Sequence, residues 1–251
     1  MRRARQGCRR VVLTILAFAL TSARYDAQTP RAAAPVDLTG YWVSVVTTEW
    51  RYRMMTPPKG DYDGIPLNEA GRRVADGWDP VKDEAAGEAC RAYGAPALLH
   101  LPTRLHITWA DDVTLKLDAD QGTQSRLLRF GSQPPARVRS WQGQSLADWQ
   151  LARPGTGGGP PSAFGRSTSL KVVTIGMRAG YLRRNGVPYS ENAVLTEYFD
   201  VVPGAGGAEW LIVTVAVDDP QYLAQPLVRS VQFRKQADAA GWDPTPCAAR
   251  W

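Results

Sequence analysis

Residues 104–130 read RLHITWADDVTLKLDADQGTQSRLLRF. Three runs rich in apolar, β-branched and aromatic residues are separated by Ala110-Asp111-Asp112 and by Gln121-Gly122-Thr123. That spacing predicts three consecutive strands joined by tight turns. In the middle run Val113, Leu115 and Leu117 alternate with Thr114, Lys116 and Asp118. One face is apolar and the other wet, as in an antiparallel strand with one solvated side. The same texture recurs downstream in VRSWQGQSLADWQL (138–151), SLKVVTIGM (169–177), ENAVLTEYFDVV (191–202), EWLIVTVAVDD (209–219) and PLVRSVQFRKQ (226–236). Upstream, GYWVSVVTTEW (40–50) reads as one long strand. Helix signals are confined to two places. NEAGRRVADGW (68–78) has Asn68 as N-cap and Gly77 as stop, and Asp83–Arg91 follows as a second short helix.

Eight to ten antiparallel strands with almost no helix after residue 92 make an all-β chain. Barrel and sandwich both satisfy the pattern. A meander of consecutive hairpins closed into a barrel leaves no exposed edge, so the barrel is the expected architecture. No linker interrupts residues 37–251, which form one expected domain. Residues 28–36 read as a disordered linker, 153–168 as a Gly/Pro-rich loop, and 178–190 as a loop joining two strands.

Composition is that of an ordinary globular protein, with 44% hydrophobic and 22% charged residues among 251. The formal charge of +6 is misleading, because Arg2, Arg3, Arg5, Arg9 and Arg10 all precede the apolar run VVLTILAFAL (11–20). Without those five the chain stands at 6 − 5 = +1, which gives no reason to bind nucleic acid. A basic segment, ten apolar residues and then small residues is the layout of a secretory signal peptide, expected over residues 1–27. The apolar run is too short to cross a bilayer as a helix, so no membrane anchor is expected once the leader is removed. Export would place the chain in the periplasm or outside the cell. Cys8 would leave with the leader, and Cys90 and Cys247 would then pair as a disulfide.

Gly40-Tyr41-Trp42 opens the first strand as G-x-W. With a train of strands behind it, this start resembles lipocalins and related calycin barrels. The resemblance implies that Trp42 plugs the closed end and that Arg234, in the last strand, stacks on it as the closing cation. A second resemblance lies in SWQGQSLADW (140–149), YLRRNGVPYSEN (181–192), LTEYF (195–199), DDPQY (218–222) and the terminal Cys247. These segments resemble a group of exported bacterial barrel proteins. That likeness implies export, a β-barrel and a tail disulfide, but no reaction.

The chemistry-bearing residues are few. His106 shares a face with Arg104 and Thr108, and serves either as an interior base or as a surface residue. Glu197 lies mid-strand with Leu195 and Phe199 on its face. A carboxylate there needs an arginine partner (Arg183, Arg184 or Arg229) or acts as an interior acid or base. His106 and Glu197 are therefore the candidate catalytic pair. Trp50, Trp109, Trp141 and Trp149 are candidates for stacking on a flat ligand. Arg104, Tyr181, Arg183 and Tyr189 join them as candidate ligand contacts. The loop carrying the last three, with its Asn185-Gly186 turn, is expected to cover a cavity entrance beside His106 and Glu197. His100 has no obvious polar neighbour in sequence. Asp111-Asp112 and Asp218-Asp219 sit at turns, where Asp is expected for its hydrogen bonding alone. G-x-S-x-G, P-loop and dinucleotide motifs are absent, and neither cysteine has zinc-site spacing. No cofactor is implied. Three functions remain open: binding of a small apolar or aromatic molecule, cofactor-independent acid–base catalysis inside the barrel, and a structural role in the cell envelope.

Overall fold

The computed structural model describes residues 28–134, 138–151 and 168–250. The chain begins with β1 (Gly40–Val45), followed by four short helices: α1 (Trp50–Met54), α2 (Glu69–Asp76), α3 (Pro80–Ala85) and α4 (Ala95–Leu98). Strands β2 (Arg104–Asp111), β3 (Thr114–Ala119), β4 (Gln124–Phe130), β5 (Gln144–Leu151) and β6 (Thr168–Ile175) come next. A small hairpin, β7 (Gly180–Arg183) and β8 (Val187–Tyr189), precedes β9 (Val194–Pro203), β10 (Glu209–Asp218) and β11 (Leu227–Gln236). Among the described residues, nine strands close a barrel in the order β1-β11-β10-β9-β6-β5-β4-β3-β2. The all-β barrel expected from the strand pattern is the observed fold.

Period-two alternation places the wall residues. On β11, Leu227, Arg229, Val231 and Phe233 are buried while Val228, Ser230 and Arg234 are exposed. On β9 and β10 the buried set is Leu195, Glu197, Phe199, Leu211, Val213, Val215 and Val217. These side chains point into the lumen and fill it. Trp42, Trp109, Phe130 and Trp149 belong to the end where β1 and β2 meet the tail of β11. There Trp109 and Phe130 stack at 5.7 Å, Phe130 and Trp149 approach to 5.6 Å, and Trp42 is fully buried. The Trp42 indole N–H donates to Leu38 O at 3.0 Å.

Five local expectations are corrected. The long strand over 40–50 stops at Val45. Trp50–Met54 is helical because Glu49 turns the chain with φ 51° and its carbonyl accepts from the Tyr52 and Arg53 amides. β-Propensity gives way where the wall ends and the chain must cover the barrel's mouth. The meander breaks between β4 and β5, which pair in parallel through Leu128↔Ser145 and Arg129↔Leu146. The connection between them returns to the end from which β4 started. Residues 28–36 are not a disordered linker: Arg31 N donates to Asp112 O at 3.1 Å, and Pro30 O accepts the Trp149 indole N–H at 3.0 Å. The segment lies across the Trp-filled end because it satisfies a polar atom that the ring cluster would otherwise bury.

Residues 178–190 are not an open loop. β7 and β8 pair from Gly180↔Tyr189 to Arg183↔Val187, and every residue from Gly180 to Ser190 is buried. The α-helical layer packs over this hairpin, with α2 against β8 and α4 against β7. Gly186 is required twice at its turn: its φ is +84°, and a Cβ would meet the Trp78 side chain at 2.2 Å. Finally, among the described residues four helices and several 3-10 turns occur where one or two helices were expected. Asn68 does cap α2, its side chain accepting from Gly71 N at 2.9 Å.

Cys90 and Cys247 are disulfide-bonded. The bond fastens the C-terminal tail to the helical layer. The leader expected over residues 1–27 and nearly all of the Gly/Pro-rich loop lie outside the described residues. No helix among the described residues is long and apolar enough to cross a membrane.

Candidate functional site

His106 and Glu197 occupy opposite sides of the barrel wall. His106 faces outward, stacked on Tyr41 with ring centroids 4.1 Å apart and nearly parallel planes. Trp242 from the tail meets the pair edge-on. Glu197 faces inward and is fully buried. Its partner is Arg126 rather than Arg183, Arg184 or Arg229. Arg126 Nη1 donates to Oε1 at 2.8 Å and Nη2 to Oε2 at 2.5 Å, with Nη2 also reaching Thr174 Oγ1 at 3.3 Å. The bidentate fork holds the carboxylate in a structural ion pair. The two residues therefore share no cavity, and they do not form an acid–base pair. Arg126 lies on the same face of β4 as Leu128, a position that period-two reading of QSRLLRF would have flagged as inward.

The aromatic candidates disperse. Trp109 and Trp149 plug the end opposite the helical layer. Trp50 is 62% exposed on α1. Trp141 lies under Arg178, whose guanidinium is 4.1 Å from its ring centroid. Arg104 sits on the outer wall, 3.9 Å from Asp120 Oδ2. The closing cation is Lys235, not Arg234: Lys235 faces Trp42 across the β1–β11 pair with Nζ 5.3 Å from the ring, whereas Arg234 is exposed. One residue along a strand reverses the face, so a basic residue at 235 reaches the indole and one at 234 cannot. Asp219, fully buried, accepts the Ser190 amide at 2.6 Å and Ser190 Oγ at 2.7 Å. It orders the end of the hairpin.

Tyr181, Arg183 and Tyr189 all lie on the hairpin at the end covered by the helices, each with its own set of contacts. Tyr181 OH donates to Asp83 Oδ2 at 2.7 Å, and Arg91 Nη1 bridges both groups. Tyr189 is fully buried with its hydroxyl unpartnered. It is wedged so tightly that a Cβ on Gly94 would stand 2.1 Å from that oxygen. Arg183 donates through Nη2 to Asp63 O at 2.9 Å and lies 4.0 Å over the Tyr52 ring.

Around Arg183 the fold gathers a cationic cluster that sequence reading did not assemble. Arg53 from α1 is 1% exposed; Nε donates to His100 O at 2.9 Å and Nη2 to Ser44 Oγ at 2.8 Å, leaving Nη1 unpartnered. Arg229 from β11 is 9% exposed, and neither Nη1 nor Nη2 has a partner. Both ring nitrogens of His100 are buried and unpartnered as hydrogen-bonding atoms. Glu49 is the carboxylate in contact with the cluster, with Oε2 3.3 Å from His100 Nε2 and Oε1 3.7 Å from Arg183 Nη2. His100 and Arg229, with Ala95, Pro96, Leu99, Val215 and Val231, line a small pocket of about 10 Å³.

The electrostatics follow from this crowding. Burial pushes the Arg229 and Arg53 guanidinia down to about 10, so both stay charged at neutral pH. Burial also lowers Arg183, partly offset by Glu49. His100 is driven far below the usual imidazole range, first by burial and then by Arg229, Arg53 and Arg183. It is neutral, with one N–H donor and one acceptor nitrogen. A neutral imidazole and three guanidinia, with Glu49 at their edge, can donate several hydrogen bonds to an acceptor. The signal for this site was the count of arginines at inward-facing or apolar-flanked positions, Arg53 and Arg229 above all.

Compared with protein-family models, curated proteins and solved structures, the chain has no match in any of the three.

Proposed function

We propose that this chain is an exported binding module: a packed barrel used as a rigid scaffold, with the seat for a small molecule beneath the helical layer rather than in the lumen. The observation that carries this reading is the set of buried donors on Arg53, Arg229 and His100 that lack partners. Buried polar groups in native proteins are nearly always satisfied, and a bound ion or ligand is one way such exceptions are completed. The packed lumen argues against an apolar ligand inside the barrel, the reading that the barrel pattern first suggested. The separation of His106 from Glu197 removes the support for acid–base catalysis by that pair. Export is supported by the leader composition and by the disulfide.

The test is retention. Purified protein is passed through a metabolite extract, washed, and what stays bound is identified by mass spectrometry. A compound held by the wild type and lost in Ala95→Leu, which fills the free space beside His100, is the expected result. Equal retention by both proteins would place the seat elsewhere. A structural role in the envelope is favoured by one observation, the exposed apolar residues Leu127, Leu146 and Ile175 on the outer wall of β4, β5 and β6. A stable assembly abolished by Leu146→Lys would support it.

A further inference from the structure

Two arginine–carboxylate arrangements stand at the same end of this barrel, and they differ in quality. Arg126 and Glu197 meet in a bidentate fork at 2.8 and 2.5 Å, which is the spacing of a satisfied charged pair. Glu49 approaches His100 and Arg183 only to 3.3 and 3.7 Å. Glu49 is the carboxylate that acts on all three guanidinia, Arg53, Arg183 and Arg229. Asp61 and Asp63 add to it at Arg183 alone, and the Asp61 side chain is also paired with Arg51 at 2.7 Å. Arg183 is met by the Asp61 and Asp63 backbone carbonyls, at 3.5 and 2.9 Å. The two Nη donors of Arg229 and Nη1 of Arg53 remain without acceptors.

Glu49 is also poorly held. It is not glycine, yet its φ is 51°, in the left-handed region. The helix that follows, α1, turns Trp50, Met54 and Met55 to solvent at 62%, 55% and 63% exposure. Arg53 is the buried residue of that helix, and Tyr52 packs under the Arg183 guanidinium at 4.0 Å. The pocket beside His100 has room for about one water as it stands. Glu49 is not among the residues lining that pocket but reaches His100 at 3.3 Å, so an anion that engages the whole cluster competes with Glu49.

We infer that this site binds a small oxyanion, the phosphate, sulfate or carboxylate group of its ligand, and that the oxyanion takes the place Glu49 holds here, accepting from Arg53, Arg183, Arg229 and the His100 N–H. The inference rests on the binding reading above and names the chemical class of the ligand. A tetrahedral or planar oxyanion offers several acceptor lone pairs at once, which matches the number of idle donors, and guanidinium forks are suited to both. Glu49 acts as an internal stand-in that keeps the cluster folded when the site is empty.

The experiment is a titration of the full chain with inorganic phosphate, sulfate and acetate, each at constant ionic strength against chloride, read by thermal unfolding and by calorimetry. At least one of the three anions is expected to raise Tm saturably, as a ligand selective for the folded state does. Glu49→Gln removes the competitor and should tighten binding at least tenfold. Arg229→Gln should weaken it at least tenfold. Arg234→Gln removes the same charge from the outer face of the same strand and should leave binding as in the wild type. If Arg229→Gln and Arg234→Gln respond alike, the effect is general screening and the inference fails. If Glu49→Gln, checked as folded by its circular dichroism and a cooperative melt, shows no saturable response to any of the three, the inference fails; if Glu49→Gln does not fold, the same absence of response in the wild type overturns it. A neutral compound retained from the metabolite extract and lost in Ala95→Leu would overturn the oxyanion class while leaving the binding module in place. No anion response and no retained compound would overturn both.

Discussion

Glu197→Gln should be among the most damaging single-atom changes in this protein. Both members of the Arg126–Glu197 pair have fully buried side chains. Removing the carboxylate's charge leaves a charged guanidinium in the lumen with one amide oxygen and Thr174 Oγ1, at 3.3 Å, as acceptors, a new NH2 donor facing its other Nη, and Nε already unpartnered. Breaking one side of such a buried pair costs about 3–5 kcal/mol, because the surviving charge stays desolvated. For a domain of this size that corresponds to a Tm lower by about 6–20 °C. Replacing both partners by apolar residues of similar volume, Arg126→Met with Glu197→Leu, removes the stranded charge. The double variant should therefore be more stable than Glu197→Gln, with a coupling energy of about 2 kcal/mol or more in a double-mutant cycle. Urea unfolding of the wild type, Arg126→Met, Glu197→Leu, their double variant and Glu197→Gln, analysed at a common slope, measures this. If Glu197→Gln costs less than about 1 kcal/mol, or if the two changes add, the pair is not the buried fork described above.

Three further outcomes are expected. Reducing the Cys90–Cys247 bond, which joins residues 157 positions apart, should lower stability by up to about 5 kcal/mol on the chain-entropy estimate; peptide mapping without reductant should recover the two cysteines as one linked pair, and two free thiols would contradict it. Lys235 Nζ also pairs with Glu209 Oε2 at 2.8 Å, so Lys235→Ala should destabilise by about 1 kcal/mol through the lost indole contact and this ion pair, while Arg234→Ala stays within about 0.5 kcal/mol; the reverse ranking in thermal melts would restore Arg234 as the closing cation. His100 is held neutral in the folded state, well below the value of about 6.5 that it recovers on unfolding. Below that pH the unfolded chain takes up a proton that the folded chain refuses, so His100 stabilises above it and loses about 1.4 kcal/mol per pH unit as pH falls. His100→Gln should flatten the acid limb of the stability curve between about pH 6 and 4 by one proton, and an unchanged slope would show that His100 protonates in place.

The barrel was legible because its signal is local. Alternation along RLHITWADDVTLKLDAD and its successors needs only neighbouring residues, and it sorted inward Leu, Val and Phe from outward Lys, Ser and Thr. The same alternation marked Glu197 as inward and in need of an arginine. The pairing of Cys90 with Cys247 followed from counting. What lay beyond local reading was every contact between strands distant in sequence. Arg126 and Glu197 are 71 positions apart, and β4, β5, β6 and β9 must stand in the observed order before they meet. The parallel β4–β5 step and the choice of Lys235 over Arg234 depend on register, where one residue changes the face. The segment 178–190 reads as a polar loop by composition. It is buried because the helical layer from the other end of the chain supplies backbone carbonyls at Pro58, Asp61 and Asp63 for Arg183 and Asn185. The cationic cluster is the extreme case. Arg53, His100, Arg183 and Arg229 come from four separate elements, none remarkable alone, and their shared burial is a property of the closed and capped barrel. Patterning along the chain determined which residues face inward; only the tertiary structure decided which of those face one another, because register, closure and capping are long-range and leave no local periodicity.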